Sequence, residues 1–543
     1  MKKAFVALFL FCFAVLANAE LKFKNLYSDG LILQAGVENA IAGYANPNAK
    51  VEIGLNFSNN AKKTVFAKSD KNGKWIATLP KMPSKTELEI KASSEGESTE
   101  IKNVKVGQLW LASGQSNMDW HFDRGPKTPE YEKYLKDICD GLEKLKGNVR
   151  IYKTRQKASF EPLENIEGKW REPDLKDIKS FSALPLLFAK YLCENLGEPV
   201  GVIVSSWGGS PIERWIPREA FGYSDFTKSA LKRDAERVEG WQERQKIFLE
   251  QRKVWLEKNN TPELRRQNRK SEPRFDYDPF DRSTPTPAML FNGMVFGIYP
   301  TVPKGVIWYQ GESNDKRANE YGDLAKAMVL SWRKYFKSEF PFYYVELANL
   351  GAPQKVPVEG RHSWGAVREA QGAVLELPKT GVATCADVGD EKDLHPPYKD
   401  AVARRLGNLA LTQIYGKGDA KSALSPCFKS AKFNGDNAEI SISNAWGLRL
   451  KKGKKSISGF AARGDGKMKW HFANAEIKNG KIIVSSPEIE RIQAVRYGWA
   501  GNPDLCVENK FSMPLRPFST DKGSILDYMD LNSQKAELSF YPE

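Results

Sequence analysis

Short alternations of apolar and polar residues fill the chain from residue 20 to about residue 105. Segments such as AKVEIGLNF and KKTVFAKSDKNGKWIATLP alternate with a period of two and contain turn signals such as DKNG. A period of two is typical of strands that bury one face. Residues 20–105 are therefore predicted to form a small N-terminal β domain that packs on the rest of the protein.

The pattern changes after residue 105, where wholly apolar segments of strand length alternate with helical segments. LWLAS, PVGVIVSS, KGVIWYQ, FPFYYVEL and TGVATCADV have the uninterrupted apolar character of parallel strands buried on both faces. SALPLLFAKYLCENLG is typical of a helix that ends at a glycine. This alternation predicts a doubly wound α/β domain over residues 106–420, with its reactive groups at the carboxyl ends of the strands.

Two further segments depart from this alternation. Residues 218–285 are highly charged and carry Trp241, Phe248 and Trp255 seven residues apart, which predicts a helical insert with one apolar stripe. The insert either lies flat on the α/β domain or forms a lid or substrate wall over its site. Residues 421–543 return to short alternating strands, so we expect a C-terminal β domain there.

The start of the chain has the pattern of a signal peptide. Two lysines are followed by an apolar stretch that ends at Leu16 and by the small-residue sequence ANA, which predicts cleavage after residue 19. The apolar stretch is well short of the ~20 residues that span a bilayer. We therefore expect a secreted or periplasmic protein with no membrane span.

Charge and cysteine content exclude several classes of partner. The formal net charge is +15 at pH 7, but the lysines are spread along the chain without an aromatic-interleaved basic motif. A solvated lysine-rich surface is therefore favoured over a nucleic-acid interface. The cysteines are widely spaced and match neither a disulfide framework nor a metal-binding set. We expect no nucleic-acid partner, no metal and no cofactor, while the oligomeric state is left open.

The candidate chemistry begins at Ser116, which follows the first apolar strand in the segment LWLASGQSNMDW. A strand that ends in a small, glycine-bearing turn presents a serine at the edge of a sheet, and a helix N-terminus there would add partial positive charge. The motifs SSWGGSPIERW, GVIWYQGESND and DVGDEKDLHPPYKD also follow predicted strands. Together the four motifs predict a nucleophile, oxyanion donors and an acid–histidine pair.

The predicted base is His395, which lies in a loop between a strand and the next helix. The alternative is a loop histidine that caps that helix. The acid predicted to orient His395 is Asp393, because a carboxylate two residues away can reach an imidazole across a tight turn. Asp390, Asp387 and Glu312 remain alternatives.

The predicted oxyanion donors are the backbone amides of Ser116 and Gly209 and the side-chain amide of Gln310. The alternatives are a plain strand-to-helix turn at Gly209 and a loop-bracing role for Gln310. Tryptophans near these motifs either stack on sugar rings or pack in the core. The further candidate pocket residues are Asn117, Trp207, Glu213, Trp308 and Glu312.

These motifs resemble the sialate O-acetylesterase family, within the wider SGNH/GDSL hydrolases that include acetylxylan esterases. The resemblance is carried by GQSNM, GGSPIERW, NGMVFGIYPTVPKGVIWYQGESN, DLHP and RYGWAGNPD, and it covers nearly all of the chain that follows the predicted signal peptide. It implies Ser116 as nucleophile, His395 as base, an aspartate just upstream, and Gly209 with Gln310 as oxyanion donors. One position departs from the general SGNH pattern, which has an aspartate three residues before the histidine, where this chain has Lys392.

The predicted fold is α/β, a doubly wound SGNH-hydrolase core flanked by N-terminal and C-terminal β-sandwich-like units. The predicted function is a secreted, metal-independent serine esterase that removes O-acetyl groups from carbohydrate, with sialate O-acetylesterase favoured. One alternative is an acetylxylan or plant-polysaccharide acetyl esterase. The alternative from another class is a non-catalytic carbohydrate-binding protein on a degenerate hydrolase core, and the complete serine, histidine and acid set argues against it.

Overall fold

The computed structural model describes residues 20–174, 176–274, 278–358, 364–464 and 469–521. The predicted signal peptide, residues 1–19, lies outside the described residues, as does the end of the predicted C-terminal domain from residue 522 onwards. Within the described ranges the chain is a mixed α/β protein with several sheets. No helix in these ranges combines the length and the apolar character needed to cross a membrane.

Seven strands form an N-terminal β unit. They are β1 (Lys22–Phe23), β2 (Ile32–Gln34), β3 (Asn39–Tyr44), β4 (Lys50–Phe57), β5 (Lys62–Lys68), β6 (Lys74–Leu79) and β7 (Glu87–Ser94). β1, β3 and β6 form one antiparallel sheet, and β4 pairs with β5 and β7 in another. In β4, Val51, Ile53 and Leu55 are buried and alternate with more exposed residues, as the period of two predicts.

A single long strand, β8 (Glu97–Gly114), connects this unit to the rest of the molecule. Its first half pairs antiparallel with β7, and its second half pairs in parallel with strands that come later in the chain. One strand therefore runs across residue 105, where the sequence pattern changes. Such a crossing is physically simple, because extended backbone can leave one sheet and enter another without a turn.

The second half of β8 lies in the middle of a parallel sheet. The other strands of this sheet are β9 (Val149–Thr154), β10 (Gly168–Arg171), β11 (Val200–Ser206), β12 (Gly305–Tyr309), β13 (Phe342–Val345) and β14 (Thr380–Ala383). The order is β10-β9-β11-β8-β12-β13-β14, and only the edge strand β10 is antiparallel among these described pairs. Because the chain places later strands on both sides of β8, a crevice is expected beyond the carboxyl end of β8.

Helices connect these strands. They are α1 (Ser116–Asp119), α2 (Pro129–Glu143), α3 (Ala183–Leu196), α4 (Asp225–Val238), α5 (Trp241–Lys258), α6 (Pro262–Gln267), α7 (Ala318–Phe336), α8 (Trp364–Gly372) and α9 (Asp400–Gln413). α3 ends at Gly197, whose φ of 68° and N–H bond to the Cys193 carbonyl at 2.9 Å form the predicted glycine stop. The charged segment 218–285 contains α4, α5 and α6, in agreement with its predicted helical character.

Both faces of the central sheet are buried. Leu111 and Trp308 lie in one apolar cluster, whereas their chain neighbours Ala112 and Ile307 lie in a second cluster on the opposite face. Successive side chains of a strand point to opposite faces, so burial on both sides requires apolar residues at every position. This explains why the strand segments of this region show no alternation.

The described residues of the C-terminal β unit form ten strands. They are β15 (Cys427–Asn434), β16 (Asn437–Ser443), β17 (Arg449–Leu450), β18 (Phe460–Gly464), β19 (His471–Phe472), β20 (Asn474–Lys478), β21 (Lys481–Ser485), β22 (Ile492–Tyr497), β23 (Val507–Glu508) and β24 (Phe518–Ser519). Arg516 of this unit donates to Glu346 Oε1 at 2.9 Å and to the Tyr344 hydroxyl at 3.1 Å. Because all three side chains are buried, this contact ties the unit firmly to the end of β13.

Candidate active site

Ser116 stands at the carboxyl end of the central strand. β8 ends at Gly114, whose φ is 137° and whose added Cβ would lie 2.1 Å from the Tyr309 carbonyl oxygen. Only glycine therefore allows β8 and β12 to approach so closely here. The next residue, Gln115, donates its N–H to the Tyr309 carbonyl at 2.9 Å, and Ser116 then opens the short helix α1.

His395 meets Ser116 from the loop between β14 and α9. Its Nε2 lies 2.8 Å from Ser116 Oγ, which is hydrogen-bond distance. The side chain of His395 is partly buried, and burial together with the positive charge of Lys399 lowers the pKa of its imidazole. The Asp393 carboxylate acts on this pKa in the opposite direction. A lowered pKa keeps the ring neutral, so Nε2 can accept the serine proton.

Four acids were candidates for orienting His395, and the structure places them differently. Asp393 Oδ1 accepts the backbone N–H of His395 at 2.7 Å and lies 3.8 Å from its Nδ1. Asp390 instead accepts the backbone N–H groups of Lys392 and Asp393 and so braces the loop. The other two have partners elsewhere. Asp387 forms an ion pair with Arg405, and Glu312 accepts from Asn117. Asp393 is therefore the acid beside Nδ1, although the contact is long and its side chain is 57% exposed.

A buried polar network lies under the histidine loop. Asn117, the residue after Ser116, donates from Nδ2 to Glu312 Oε1 at 2.7 Å and to the Leu394 carbonyl at 3.1 Å. Its Oδ1 accepts from Lys399 Nζ at 2.6 Å. The side chains of Asn117, Glu312 and Lys399 are all buried. One asparagine therefore links the nucleophile helix to the residue before His395 and to the helix that follows it.

Burial changes the ionisation of this network. It lowers the pKa of Lys399 to about 8. It also raises the pKa of Glu312, whereas the hydrogen bond from Asn117 and the charge of Lys399 lower that pKa. Lys399 also lies 5.7 Å from the ring centroids of Trp120 and Tyr309, whose π faces favour a cation. Sequence reasoning missed Lys399. The spacing of four residues after His395 was the available signal, but only the fold shows that this lysine is buried.

Backbone donors surround the serine. Gly209 has a φ of 76°, and a Cβ added to Gly208 would lie 3.3 Å from Ser116 Cβ, so this turn packs directly on the serine. Within the described ranges, neither the Ser116 N–H nor the Gly209 N–H donates to an acceptor of the protein. Both groups are therefore free to donate to a substrate.

The side-chain amide of Gln310, by contrast, already donates to other groups of the protein. Its side chain is fully buried, and its Nε2 donates to Asn314 Oδ1 at 2.7 Å and to the Ser210 carbonyl at 3.3 Å. Because an amide NH2 has two hydrogens, both are occupied here, which favours the loop-bracing alternative over the predicted oxyanion role. Glu213, a predicted pocket residue, is also fully buried and accepts from Asn314 and Arg317. It braces the same loop rather than lining a pocket.

The tryptophans divide between the core and the site. Trp308 is 2% exposed and packs edge-on against Trp215 and Trp332 at centroid distances of 5.9 and 6.1 Å. This packing favours the core alternative for Trp308 over its predicted pocket role, because its position in β12 points it into the core. Trp207 is only partly buried and follows β11, with its N–H bonded to the Gly114 carbonyl. It is the one predicted pocket tryptophan that a substrate could contact.

A half-buried neutral imidazole in contact with a serine hydroxyl, beside free backbone N–H groups at the edge of a parallel sheet, suits acyl transfer. The fold and this site define the chain as a carboxylic ester hydrolase. Comparisons with known proteins agree with this class. Residues 289–413 match the family model described as carbohydrate esterase, sialic acid-specific acetylesterase.

The full chain also has relatives. Over 90% of its length it is 24% identical to the sialate O-acetylesterase of Rattus norvegicus and 22% identical to that of Homo sapiens, and it covers 91% and 89% of those proteins. A crystal structure of a carbohydrate acetylesterase from Xanthomonas citri is 27% identical, with a TM-score of 0.74, over 93% of this chain and 100% of that one. The predicted resemblance to the sialate O-acetylesterase family is confirmed.

The cysteines in the described part of the chain form no disulfide bonds. Cys139, Cys193, Cys385, Cys427 and Cys506 are free thiols. Within the described residues, no group of three or more histidine, cysteine, aspartate or glutamate side chains is placed to hold a metal ion.

Proposed function

We propose that this protein is a serine O-acetylesterase acting on carbohydrate, with O-acetylated sialic acid as its substrate. The 2.8 Å contact between Ser116 Oγ and His395 Nε2 carries the proposal of a serine mechanism. The sialic acid-specific family model and the sialate O-acetylesterase relatives support the substrate. A serine held at hydrogen-bond distance from an imidazole nitrogen favours this proposal over a binding protein without catalysis.

In the proposed reaction, Ser116 Oγ attacks the carbonyl carbon of the acetyl ester while its proton passes to His395 Nε2. The tetrahedral intermediate collapses as the C–O bond to the sugar breaks, and the sugar oxygen takes the proton from His395. Water then attacks the acetyl-enzyme, with His395 again accepting a proton, and acetate leaves with the regenerated serine. No metal or cofactor takes part.

The negative charge of the tetrahedral intermediate would be bound by the backbone N–H groups of Ser116 and Gly209. Both lack an acceptor within the described part of the protein, and the N-terminus of α1 adds partial positive charge beside them. Gln310 is left out of this proposal, because its amide hydrogens are already bonded.

Two features would orient the base. Asp393 lies beside His395 Nδ1 and supports the imidazolium that forms during the reaction. Because that contact is long and exposed, Asn117 would supply the firmer support, since it holds the Leu394 carbonyl next to the base.

Lys399→Met is expected to move the acid limb of the pH profile of kcat/KM to higher pH. The positive charge of Lys399 helps to lower the pKa of His395. Activity requires neutral His395 and is lost as the pH falls through this lowered pKa, so removing the charge raises the pKa and starts the loss at higher pH. Initial rates between pH 4 and 9 measure the limb.

The control for this prediction is Lys392→Met, which removes a lysine three residues from His395 whose side chain is 85% exposed. Solvent screens such a charge, so the limb should stay where the wild type has it. Superimposable pH profiles for the wild type and both variants would show that the charge of Lys399 does not lower the pKa of His395.

We also propose that residues 106–420 form a doubly wound SGNH-hydrolase core, between β domains over residues 20–105 and 421–543. The strand order around β8 and the burial of both sheet faces support this assignment. Export to the periplasm or the outside of the cell is proposed from the residue pattern of the first 19 positions. The described structure does not include that segment.

A second substrate class has an observation in its favour. The carbohydrate acetylesterase from Xanthomonas citri is more similar to this chain than the two mammalian relatives, at 27% identity. That protein is described as a carbohydrate acetylesterase without a named sugar, so acetylated xylan and related plant polysaccharides stay the second candidate.

Acetate release separates the two substrate classes. We expect wild-type enzyme to release acetate from O-acetylated sialic acid faster than from acetylated xylo-oligosaccharides, with kcat/KM at least about tenfold higher, a difference of 1.4 kcal/mol in transition-state binding. The reverse preference would assign the second class. Release from neither substrate, with 4-nitrophenyl acetate also untouched, would refute an esterase.

A further inference from the structure

An exposed group of aromatic rings lies outside the machinery described above. The rings of Phe160 and Phe280 are 5.2 Å apart, and Trp241 lies 5.8 Å from Phe280 and 6.5 Å from Phe160. Phe160 is 39% exposed and Phe280 is 42% exposed, while Trp241 is partly buried. Three contiguous aromatic side chains that face solvent are more than the scattered exposed apolar residues of an ordinary surface. We call these three residues the aromatic platform.

The loop that carries Phe160 begins at the active-site edge of the sheet. It follows β9, which runs parallel to β11 and so ends at the same edge as β8. At its start, Gln156 Nε2 donates to Asp119 Oδ2 and to the Ser206 carbonyl, both at 3.2 Å. Asp119 ends the helix that Ser116 opens, so this loop rests on the nucleophile helix.

The loop that carries Phe280 is held beside the oxyanion donors. Arg214, fully buried, donates from one guanidinium nitrogen to the Pro279 carbonyl at 3.1 Å and to the Thr284 carbonyl at 2.9 Å, and so clamps both ends of the loop. Arg282 lies in the loop between Pro279 and Thr284, and its Nε is 3.6 Å from the position of a Cβ added to Gly209. The tip of this loop therefore lies next to the turn that packs on Ser116.

We propose that the aromatic platform binds the sugar residue adjacent to the acetylated one, so that the enzyme acts on acetylated sugars within an oligosaccharide chain. The assignment rests on the proposed function, because the acetylated sugar itself must sit at Ser116. Aromatic faces pack against the apolar C–H faces of pyranose rings, and exposed rings are available for this contact. The helical insert thereby supplies a substrate wall through Trp241 and Phe280.

Arg282 fits the same role. It lies between the platform and Gly209, and within the described ranges no carboxylate forms an ion pair with it. Its guanidinium can donate several hydrogen bonds to sugar hydroxyl or carboxylate oxygens between the two subsites.

Trp241→Ala and Phe280→Ala are expected to raise KM for an O-acetylated sialyllactose by on the order of tenfold, as expected for loss of one stacking contact. The kcat for this substrate, and kcat/KM for free O-acetylated sialic acid and for 4-nitrophenyl acetate, should stay within about twofold, because neither ring touches the reacting atoms. Trp241→Tyr, which keeps an aromatic face, should have a KM for this substrate close to that of the wild type. Phe433→Ala is the control, since Phe433 is 40% exposed but lies in β15 of the C-terminal unit.

Binding of non-acetylated oligosaccharides tests the platform without any catalysis. Calorimetry with sialyllactose and with xylotetraose should show binding of at least one of them by wild type and loss of that binding in Trp241→Ala. This result would stand even if acetate release failed, so the two proposals fail separately. Three results would overturn the proposed role of the aromatic platform. The first is binding of neither probe, and the second is an equal loss of kcat/KM for free O-acetylated sialic acid and for the oligosaccharide. The third is a change in oligomeric state as the only effect of Trp241→Ala.

Discussion

Ser116→Ala is expected to lower kcat for acetate release by at least ~10³-fold while the free energy of unfolding stays within about 0.5 kcal/mol of the wild type. The variant removes the oxygen that would form the acetyl-enzyme, whereas the backbone donors at Ser116 and Gly209 remain in place. Residual activity should therefore come only from substrate binding and oxyanion stabilisation. Acetate assays and denaturant unfolding of the same preparations measure the two quantities.

The matched control for this substitution is Ser113→Ala. Ser113 lies three residues earlier in β8 and is fully buried, and its hydroxyl has no hydrogen-bond partner within the described structure. Removing that hydroxyl should leave kcat within about twofold and should not destabilise the fold, because an unsatisfied polar group is lost. Near-normal activity of Ser116→Ala, or an equal loss in both variants, would remove Ser116 from the mechanism.

Asn117→Ala is expected to lower kcat by about 10²-fold and the free energy of unfolding by about 3 kcal/mol. The side chain makes three hydrogen bonds, to Glu312, to the Leu394 carbonyl and from Lys399. Without it, the residue before His395 loses its anchor, and two buried ionisable groups lose a partner. A small displacement of the base from Ser116 Oγ is enough to slow proton transfer strongly. Turnover of 4-nitrophenyl acetate and urea unfolding measure the two effects.

Asn509→Ala separates positioning from general destabilisation. Asn509 is equally buried and also holds loop backbone, through bonds to the Leu424 carbonyl and from the Met513 N–H, but it lies in the C-terminal unit. Its loss should destabilise the protein and leave kcat nearly unchanged. If Asn117→Ala lost no more kcat than Asn509→Ala at a temperature where both are folded, the positioning role would be disproved.

Local patterns were sufficient for the secondary structure and for the serine–histidine pair. The glycine before Gln115 and the apolar run that precedes it predict a strand-end serine, and Ser116 lies there. His395 is in a loop after a strand, as its sequence context predicts. Parallel strands bring their carboxyl ends to one edge, so motifs that follow different strands could be expected to meet even though hundreds of residues separate them.

The same patterns were insufficient for side chains whose role depends on burial. Trp308 and Glu213 occur within the family motifs, yet one packs in the core and the other is buried and pairs with Arg317. Gln310 has the chemistry of an oxyanion donor, but its amide is occupied by Asn314 and Ser210. Spacing along a chain gives the face of a strand, whereas the partners on that face come from other elements.

The amino-acid sequence determined the order of strands and helices, the glycine turns at Gly114 and Gly209, and the identity of the groups that we propose for acyl transfer. These follow from local backbone preferences and from the apolar periodicity of each segment. The tertiary structure decided that His395 reaches Ser116, that Lys399 is buried beside Asn117, and that the insert places Arg282 beside Gly209. These are contacts between distant segments, and their energies depend on burial and on the distance between charges, which arise only when the chain is packed.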